Sequence, residues 1–405
     1  MPSISNKGNL MPESPIRKLV PFAEKAKKKG IKVFHLNIGQ PDIETPKSAL
    51  KAVKNADIKV LAYSKSEGDL NLREKISDYY SRHNVKISSS DIIITSGASE
   101  ALLFTIGSIM DSMDEIIIPE PFYANYNGFS AANGVNIVPV SSSIDDNFSL
   151  PKIDDFESLI SSKTKAILIC NPNNPTGYVY SESEIKRLIE IVKKHDLYLI
   201  ADEVYREFTY DGVNHTSIME FNDICQNAIV IDSVSKRYSM CGARIGCIIS
   251  KNKEFLNTAM KFAQARLSPP SLAQIASTAA LDTGKDYFEK IIEEYNKRRV
   301  VLIKGLKDIP GVKVSEPKGA FYCVAELPVD DSEDFAKWLL ESYNLNKKTI
   351  MIAPAGGFYS TANTGNNQVR IAYVLNENDL KDSIEILKKG LIEYSKWWML
   401  NKTIR

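Results

Sequence analysis

Lys236 lies in the stretch Asp232-Ser233-Val234-Ser235-Lys236-Arg237-Tyr238, just past the apolar run 228–231, and Arg244-Ile245-Gly246 begins eight residues later. An amine flanked by hydroxyls and followed by a guanidinium suits an aldehyde cofactor that carries a phosphate. The amine can form a Schiff base, while the hydroxyls and the arginine hold the phosphate. Lysine is common in solvated loops, so Lys236 alone decides nothing.

Four further motifs fall where α/β sheets keep their chemistry, just past the carboxyl ends of apolar runs. Thr95-Ser96-Gly97-Ala98-Ser99 follows the run 92–94 and opens a helix-like segment. Its amides and the Ser99 hydroxyl would cradle a phosphate at a helix N-terminus, though Ser-Gly is also an ordinary turn. Pro121-Phe122-Tyr123 offers an aromatic to stack on a flat ring, or simply a core side chain. Asn171-Pro172-Asn173-Asn174-Pro175-Thr176-Gly177 is a turn stiffened by two prolines and a glycine, able to aim Asn174 at a ring oxygen. In Ala201-Asp202-Glu203-Val204-Tyr205, a strand-end carboxylate could keep a pyridine nitrogen protonated, with Tyr205 donating to a phenolic oxygen. The plain alternative for Asp202 is a helix N-cap.

Short apolar runs position all of these. Strands are expected at 92–95, 115–119, 136–140, 166–170, 197–201, 228–231 and 245–250, alternating with amphipathic stretches such as 99–110 and 181–195. Ser181 with Glu184 three residues on reads as a capping box. The pattern is that of an α/β protein with a mainly parallel seven-stranded sheet covered on both faces. After a charged helix at 286–307, strands at 311–315, 319–326 and 368–374 with helices at 332–343 and 377–399 suggest a smaller α+β region. The expected division is a large domain, 47–300, and a small one formed by 1–46 with 301–405. Trp397-Trp398 reads as a packing anchor.

Composition bounds the class. The 405 residues hold 51 Lys+Arg against 50 Asp+Glu, a balance that favours neither nucleic acid nor an anionic membrane as partner. No apolar run reaches spanning length and the first residues lack a signal-peptide core, so a cytoplasmic protein is expected. The five cysteines form no Cys-x-x-Cys pair and the four histidines stand singly, which speaks against a disulfide framework or a metal site.

Together Asn171–Gly177 (NPNNPTG), Asp202–Tyr205 (DEVY) and Ser233–Arg244 (SVSKRYSMCGAR) resemble the class I/II pyridoxal-phosphate-dependent aminotransferases, over about residues 14 to 395 and in the family's order. The resemblance implies the type I fold of aspartate aminotransferase and pyridoxal 5'-phosphate as cofactor. It implies a ping-pong transfer of an amino group between an L-amino acid and a 2-oxoacid. Lys236 would carry the cofactor and shuttle the proton, Asp202 would pair with the ring nitrogen, and Asn174 and Tyr205 would bond its phenolic oxygen. Tyr123 would stack on the ring, and Ala98, Ser99, Ser233, Ser235 and Arg244 would hold the phosphate. Arg370, in Gln-Val-Arg-Ile-Ala, would clamp the substrate carboxylate, with Asn174 and the Gly39 backbone beside it. Tyr63, in Tyr-x4-Gly-x3-Leu-Arg, matches a tyrosine that reaches the neighbouring subunit's phosphate, so a homodimer with shared sites is implied.

Two departures bear on the substrate. Some aspartate-specific members have a lysine where Ser99 stands here, and a hydroxyl where Ile16 stands. Aspartate with 2-oxoglutarate is the first expectation. Aromatic or small neutral amino acids are the alternative, with Phe22, Ile38 and Phe358 as candidate apolar lining, and a β-C–S lyase is the other.

Overall fold

The computed structural model describes residues 2–402; Met1 and residues 403–405, counted in the expected terminal regions, lie outside the described residues. Seven strands form one sheet in the order Ile92–Thr95, Gly246–Ile249, Ala228–Ser233, Tyr198–Asp202, Thr164–Cys170, Glu115–Glu120, Asn136–Ser141. Each anticipated run is a strand, with ends displaced by two residues at most. The isoleucine-rich strands alternate between two cores. Ile93, Ile116, Leu168 and Ile200 face one apolar cluster, while Ile92, Ile117, Ile167 and Leu199 face the other. A sheet buried on both faces requires this continuous apolar composition.

Gly246–Ile249 runs antiparallel to both of its neighbours, whereas the other pairings are parallel. Six carboxyl ends therefore share one edge, those ending at Thr95, Glu120, Ser141, Cys170, Asp202 and Ser233. The register aligns them: Cys170 is level with Asp202, and Thr95 and Ser233 both lie opposite Gly246. A Cβ on Gly246 would come within 2.6 Å of the Ala98 amide nitrogen, so only glycine lets these loops close together. The Ser181 capping box forms as expected: its hydroxyl caps Glu182–His195, and its amide donates to Glu184 Oε2 at 2.8 Å.

Beyond the helix Lys285–Lys307, four antiparallel strands stand in the order Ala353–Pro354, Gln368–Ala372, Tyr322–Glu326, Lys313–Val314. The strands expected at 311–315 and 319–326 are shorter than the sequence suggests. The amides of Lys318 and Gly319 donate to Gly177 O at 2.9 and 2.8 Å, so this segment anchors the 171–177 loop instead of extending the ladder. Lys32–His35, not anticipated as a strand, pairs in parallel with Lys348–Met351. Its continuation is held by Leu36 N to Met351 O at 2.9 Å and Ala372 N to Leu36 O at 2.8 Å, which fixes the 37–40 loop against the strand of Arg370. Trp397 and Trp398 pack against Tyr394, with ring centroids 5.6 and 6.2 Å away, an anchor as expected. No described helix is long and apolar enough to cross a membrane.

Candidate active site

The shared carboxyl edge opens into a cavity of about 640 Å³. Gly39, Ala98, Ser99, Tyr123, Asn174, Asp202, Tyr205, Ser233, Ser235, Lys236, Arg244 and Arg370 all line it. Of the cofactor and substrate residues that the resemblance implies, Tyr63 alone stands apart; it is 81% exposed and outside the cavity of the single chain. Of the candidate apolar lining, Ile38 lines the cavity, whereas Phe358 is buried beside Arg370 and Phe22 packs on the core, and neither ring is part of the lining.

Lys236 sits in the short helix Val234–Arg237, which starts as soon as the strand Ala228–Ser233 ends. The Ser233 hydroxyl caps it by accepting from Ser235 N at 3.3 Å. Lys236 Nζ, half-buried, donates to Gly39 O at 2.9 Å and lies 3.8 Å from Cys241 Sγ. A Cβ at Gly39 would collide with the Tyr322 hydroxyl at 1.7 Å, so glycine is what allows the loop to come this close.

Asp202 is 4% exposed, and burial pushes its carboxyl up to about 6. Tyr126, which donates to Oδ2 at 2.9 Å, and Val204 N, which donates to Oδ1 at 3.4 Å, pull in the other direction. A buried carboxylate with two donors and no cation in contact is arranged for a cationic partner that the chain does not itself supply.

Asn174 owes its position to its neighbours. Asn173 Oδ1 accepts from the amide and hydroxyl of Thr176, and Asn171 Oδ1 accepts from Tyr180 N at 3.0 Å. With those asparagines committed to the loop, Asn174 is left for the cavity, where its Oδ1 accepts from Arg370 Nη1 at 3.1 Å. Arg370, 1% exposed, lies between Tyr322 and Phe358 with its guanidinium 4.6 and 5.0 Å from their ring centroids. Nη2 donates to Asn37 O, and Nε is buried without a partner. An orphaned donor on a planar fork is suited to a carboxylate.

At the opposite end, Gly97 at φ +81° turns the chain into the helix Ala98–Ile109, whose first amides have no partner within the helix. Arg244, itself left-handed at φ +55°, lays Nη2 on Ser96 O at 3.4 Å. A Cβ on Gly97 would come within 2.4 Å of that nitrogen. Helix amides, three hydroxyls (Ser99, Ser233, Ser235) and one guanidinium make an anion cradle. The residues thus fit pyridoxal phosphate at both ends, the phosphate at this cradle and the ring nitrogen at Asp202, with Lys236 Nζ between them.

Sequence reading missed Tyr126, Tyr322, Cys241 and Arg17. Tyr126, three residues past Tyr123 on the helix Asn125–Asn133, had a spacing signal. Tyr322, whose hydroxyl is 2.9 Å from that of Tyr205, had none, since a strand 117 positions away brings it in. Among the described residues, no group of three or more His, Cys, Asp or Glu side chains is placed to hold a metal ion.

A model of the family described as aminotransferase class I and II matches residues 31–387. The chain is 31% identical to the aspartate aminotransferase of Pyrococcus horikoshii, over 94% of this chain and 95% of that protein. It is 33% identical to the (5-formylfuran-3-yl)methyl phosphate transaminase of Methanocaldococcus jannaschii, over 92% and 95%. Its fold is similar to that of Thermus thermophilus aspartate aminotransferase with maleate, with a TM-score of 0.87 at 26% identity over 96% and 100% of the two chains.

Proposed function

The chain belongs to the class I and II aminotransferases, pyridoxal-phosphate-dependent transaminases, and we propose that it moves the amino group of aspartate to 2-oxoglutarate. The observation that carries this reading is the pairing, across one cavity, of Lys236 Nζ with the buried Arg370 fork and its unpartnered Nε. The runner-up substrates are aromatic or small neutral amino acids, and the phosphate-bearing substrate in the name of the M. jannaschii relative shows how far relatives diverge.

Pyridoxal phosphate, when bound, supplies the electron sink that makes an α-proton removable. The chain supplies everything else. Arg244 with the amides and hydroxyls around Ala98, Ser99, Ser233 and Ser235 would hold the phosphate, and Tyr123 would lie against the ring. Asp202 would keep a proton on the ring nitrogen, while Asn174 and Tyr205 would donate to the phenolic oxygen. Arg370 would fix the α-carboxylate so that the α-hydrogen faces Lys236 Nζ, which accepts that proton and returns it one position away. The Gly39 carbonyl, already bonded to Nζ, keeps the amine on that path. On this reading residues 47–300 hold the cofactor, and 1–46 with 301–405 provide the substrate-side groups Gly39 and Arg370.

The test is a half-reaction screen. Each amino acid is added to the yellow holoenzyme and the rate of bleaching is recorded, followed by steady-state assays with 2-oxoglutarate. Aspartate should bleach fastest, and parallel double-reciprocal lines should follow. Release of pyruvate and ammonia without any acceptor acid would instead mark a lyase. Arg370→Lys should lower kcat/KM for aspartate by about 10²-fold or more, because a point charge replaces a planar fork and the buried ammonium lacks its partners. An unchanged value would remove Arg370 from the substrate.

The proposed working unit is a cytoplasmic homodimer. Val60, Leu61 and Tyr63 are exposed beside Leu267 and Leu272, an apolar patch held together by Ser66 Oγ to Leu267 O at 2.6 Å and Ser271 Oγ to Ala62 O at 3.2 Å. Tyr63 on that patch would serve the partner's phosphate. Mixing Tyr63→Ala with Lys236→Ala protein, each nearly inactive alone, should restore about a quarter of the wild-type sites, because half the dimers are hybrid and carry one intact site. No recovery after subunit exchange would show that sites are not shared.

A further inference from the structure

The cavity has one cation to spare. Arg17, Lys236, Arg244 and Arg370 face it, against the single carboxylate of Asp202. Arg244 belongs to the phosphate cradle and Arg370 to the α-carboxylate, while Lys236 is the reacting amine. Arg17 is left over. Among the described residues its side chain makes no hydrogen bond and no ion pair, whereas the adjacent Lys18 is paired with Glu333.

The segment that carries Arg17 is built into the substrate end of the site. The amides of Arg17 and Lys18 both donate to Ser14 O at 3.0 Å, closing a tight turn. Asn37 Nδ2 holds that turn by donating to Ile16 O at 2.8 Å, and the carbonyl of the same Asn37 accepts from Arg370 Nη2. Pro15 packs so close to Gly357 that a Cβ there would fall within 2.7 Å of its ring, and Ile16 rests on the cluster containing Phe358. One asparagine thus ties the backbone beside Arg17 to the guanidinium of Arg370. Both cations also act on one group: burial pushes the Tyr123 hydroxyl up to about 12, while the charges of Arg370 and Arg17 pull it down.

We propose that Arg17 is a specificity-determining residue that pairs with the second, distal carboxylate of a dicarboxylic amino acid or 2-oxoacid. The inference rests on the aspartate and 2-oxoglutarate reading above. Arg17 stands at the cavity wall, open to solvent and with no counter-ion of its own, and an incoming carboxylate supplies one.

The experiment compares wild-type, Arg17→Gln and Arg17→Lys holoenzymes. The kcat/KM for aspartate and for alanine is measured in the half-reaction, together with the dissociation constants of succinate and propionate. In Arg17→Gln, aspartate should lose between about tenfold and about a hundredfold, and succinate should weaken in parallel. Alanine, propionate and the bound cofactor content should change by less than about threefold. Arg17→Lys should recover part of the loss. Equal losses for aspartate and alanine would make Arg17 structural, and no loss for either would make it a bystander. Both results overturn the proposal and leave the transaminase reading intact. A wild-type enzyme that reacts with alanine but with neither aspartate nor 2-oxoglutarate would overturn both.

Discussion

Lys236→Ala should abolish turnover, lowering the rate by more than about 10⁴-fold, because no other group in the cavity can take the α-proton. The alternatives are disqualified by their surroundings. Asp202 is buried and committed to Tyr126 and Val204. Burial pushes the Tyr205 hydroxyl and the Cys170 thiol well above their usual ranges, so neither provides a base at neutral pH. Cys241 Sγ, 3.8 Å from Nζ, is committed to Ser235 O, to which it donates at 3.2 Å. The variant should still fold, since Nζ makes one hydrogen bond to a carbonyl and the short helix keeps its Ser233 cap. Loss of α-hydrogen exchange with solvent is the direct readout. Borohydride reduction of the wild-type holoenzyme should leave the pyridoxyl label on the Lys236 peptide. A yellow, active Lys236→Ala protein, or a label on another peptide, would end this account.

What could be read from the chain before folding, and what could not, follows from the range of the interactions. The strands were legible because isoleucine-rich runs bounded by turns have no other stable use in a chain of this size. The five loops were legible because each sits directly past its strand, so that register alone delivers Cys170 beside Asp202 and sets Thr95 and Ser233 on either side of Gly246. Groups arriving from other elements were hidden. The Tyr322 hydroxyl reaches Tyr205 only because a glycine at 39 clears its path. Lys32–His35 is too short for its alternation to stand out, and its partner strand lies more than three hundred residues away. The truncated strands at 313–314 and 322–326 were overestimated because local pattern cannot show that Lys318 and Gly319 are bonded to Gly177. Arg17 was passed over for a similar reason: its meaning depends on a hydrogen bond from Asn37 to its neighbour.

Asp202→Asn should trade activity for stability, and the two halves of that result have one cause. In the cofactor-free protein, burial raises the Asp202 carboxyl from 3.8 to about 6. A folded-state value above the unfolded one means that the native protein holds a proton there which the unfolded chain has released. Stability therefore falls as pH rises through the window from about 4 to about 6, and the full cost, at most about 3 kcal/mol, persists at pH 8. Asparagine keeps an oxygen to accept from Tyr126 and has no charge to bury, so the cofactor-free variant should melt several degrees above wild type at pH 8 and close to it at pH 4. Glu203, raised to about 7 for the same reason, is untouched by the change and leaves a residual slope in both proteins. With cofactor bound, a protonated ring nitrogen beside Asp202 favours its ionised form and offsets the burial cost. The amide cannot supply that charge, so turnover should drop by about 10³-fold while cofactor is still retained by Lys236 and the phosphate cradle. Scanning calorimetry of the cofactor-free pair at pH 4 and pH 8, with kcat of the loaded pair, decides it. A variant destabilised equally at both pH values would show that Asp202 contributes packing instead of a strained charge, and a variant of normal kcat would detach the carboxylate from the ring.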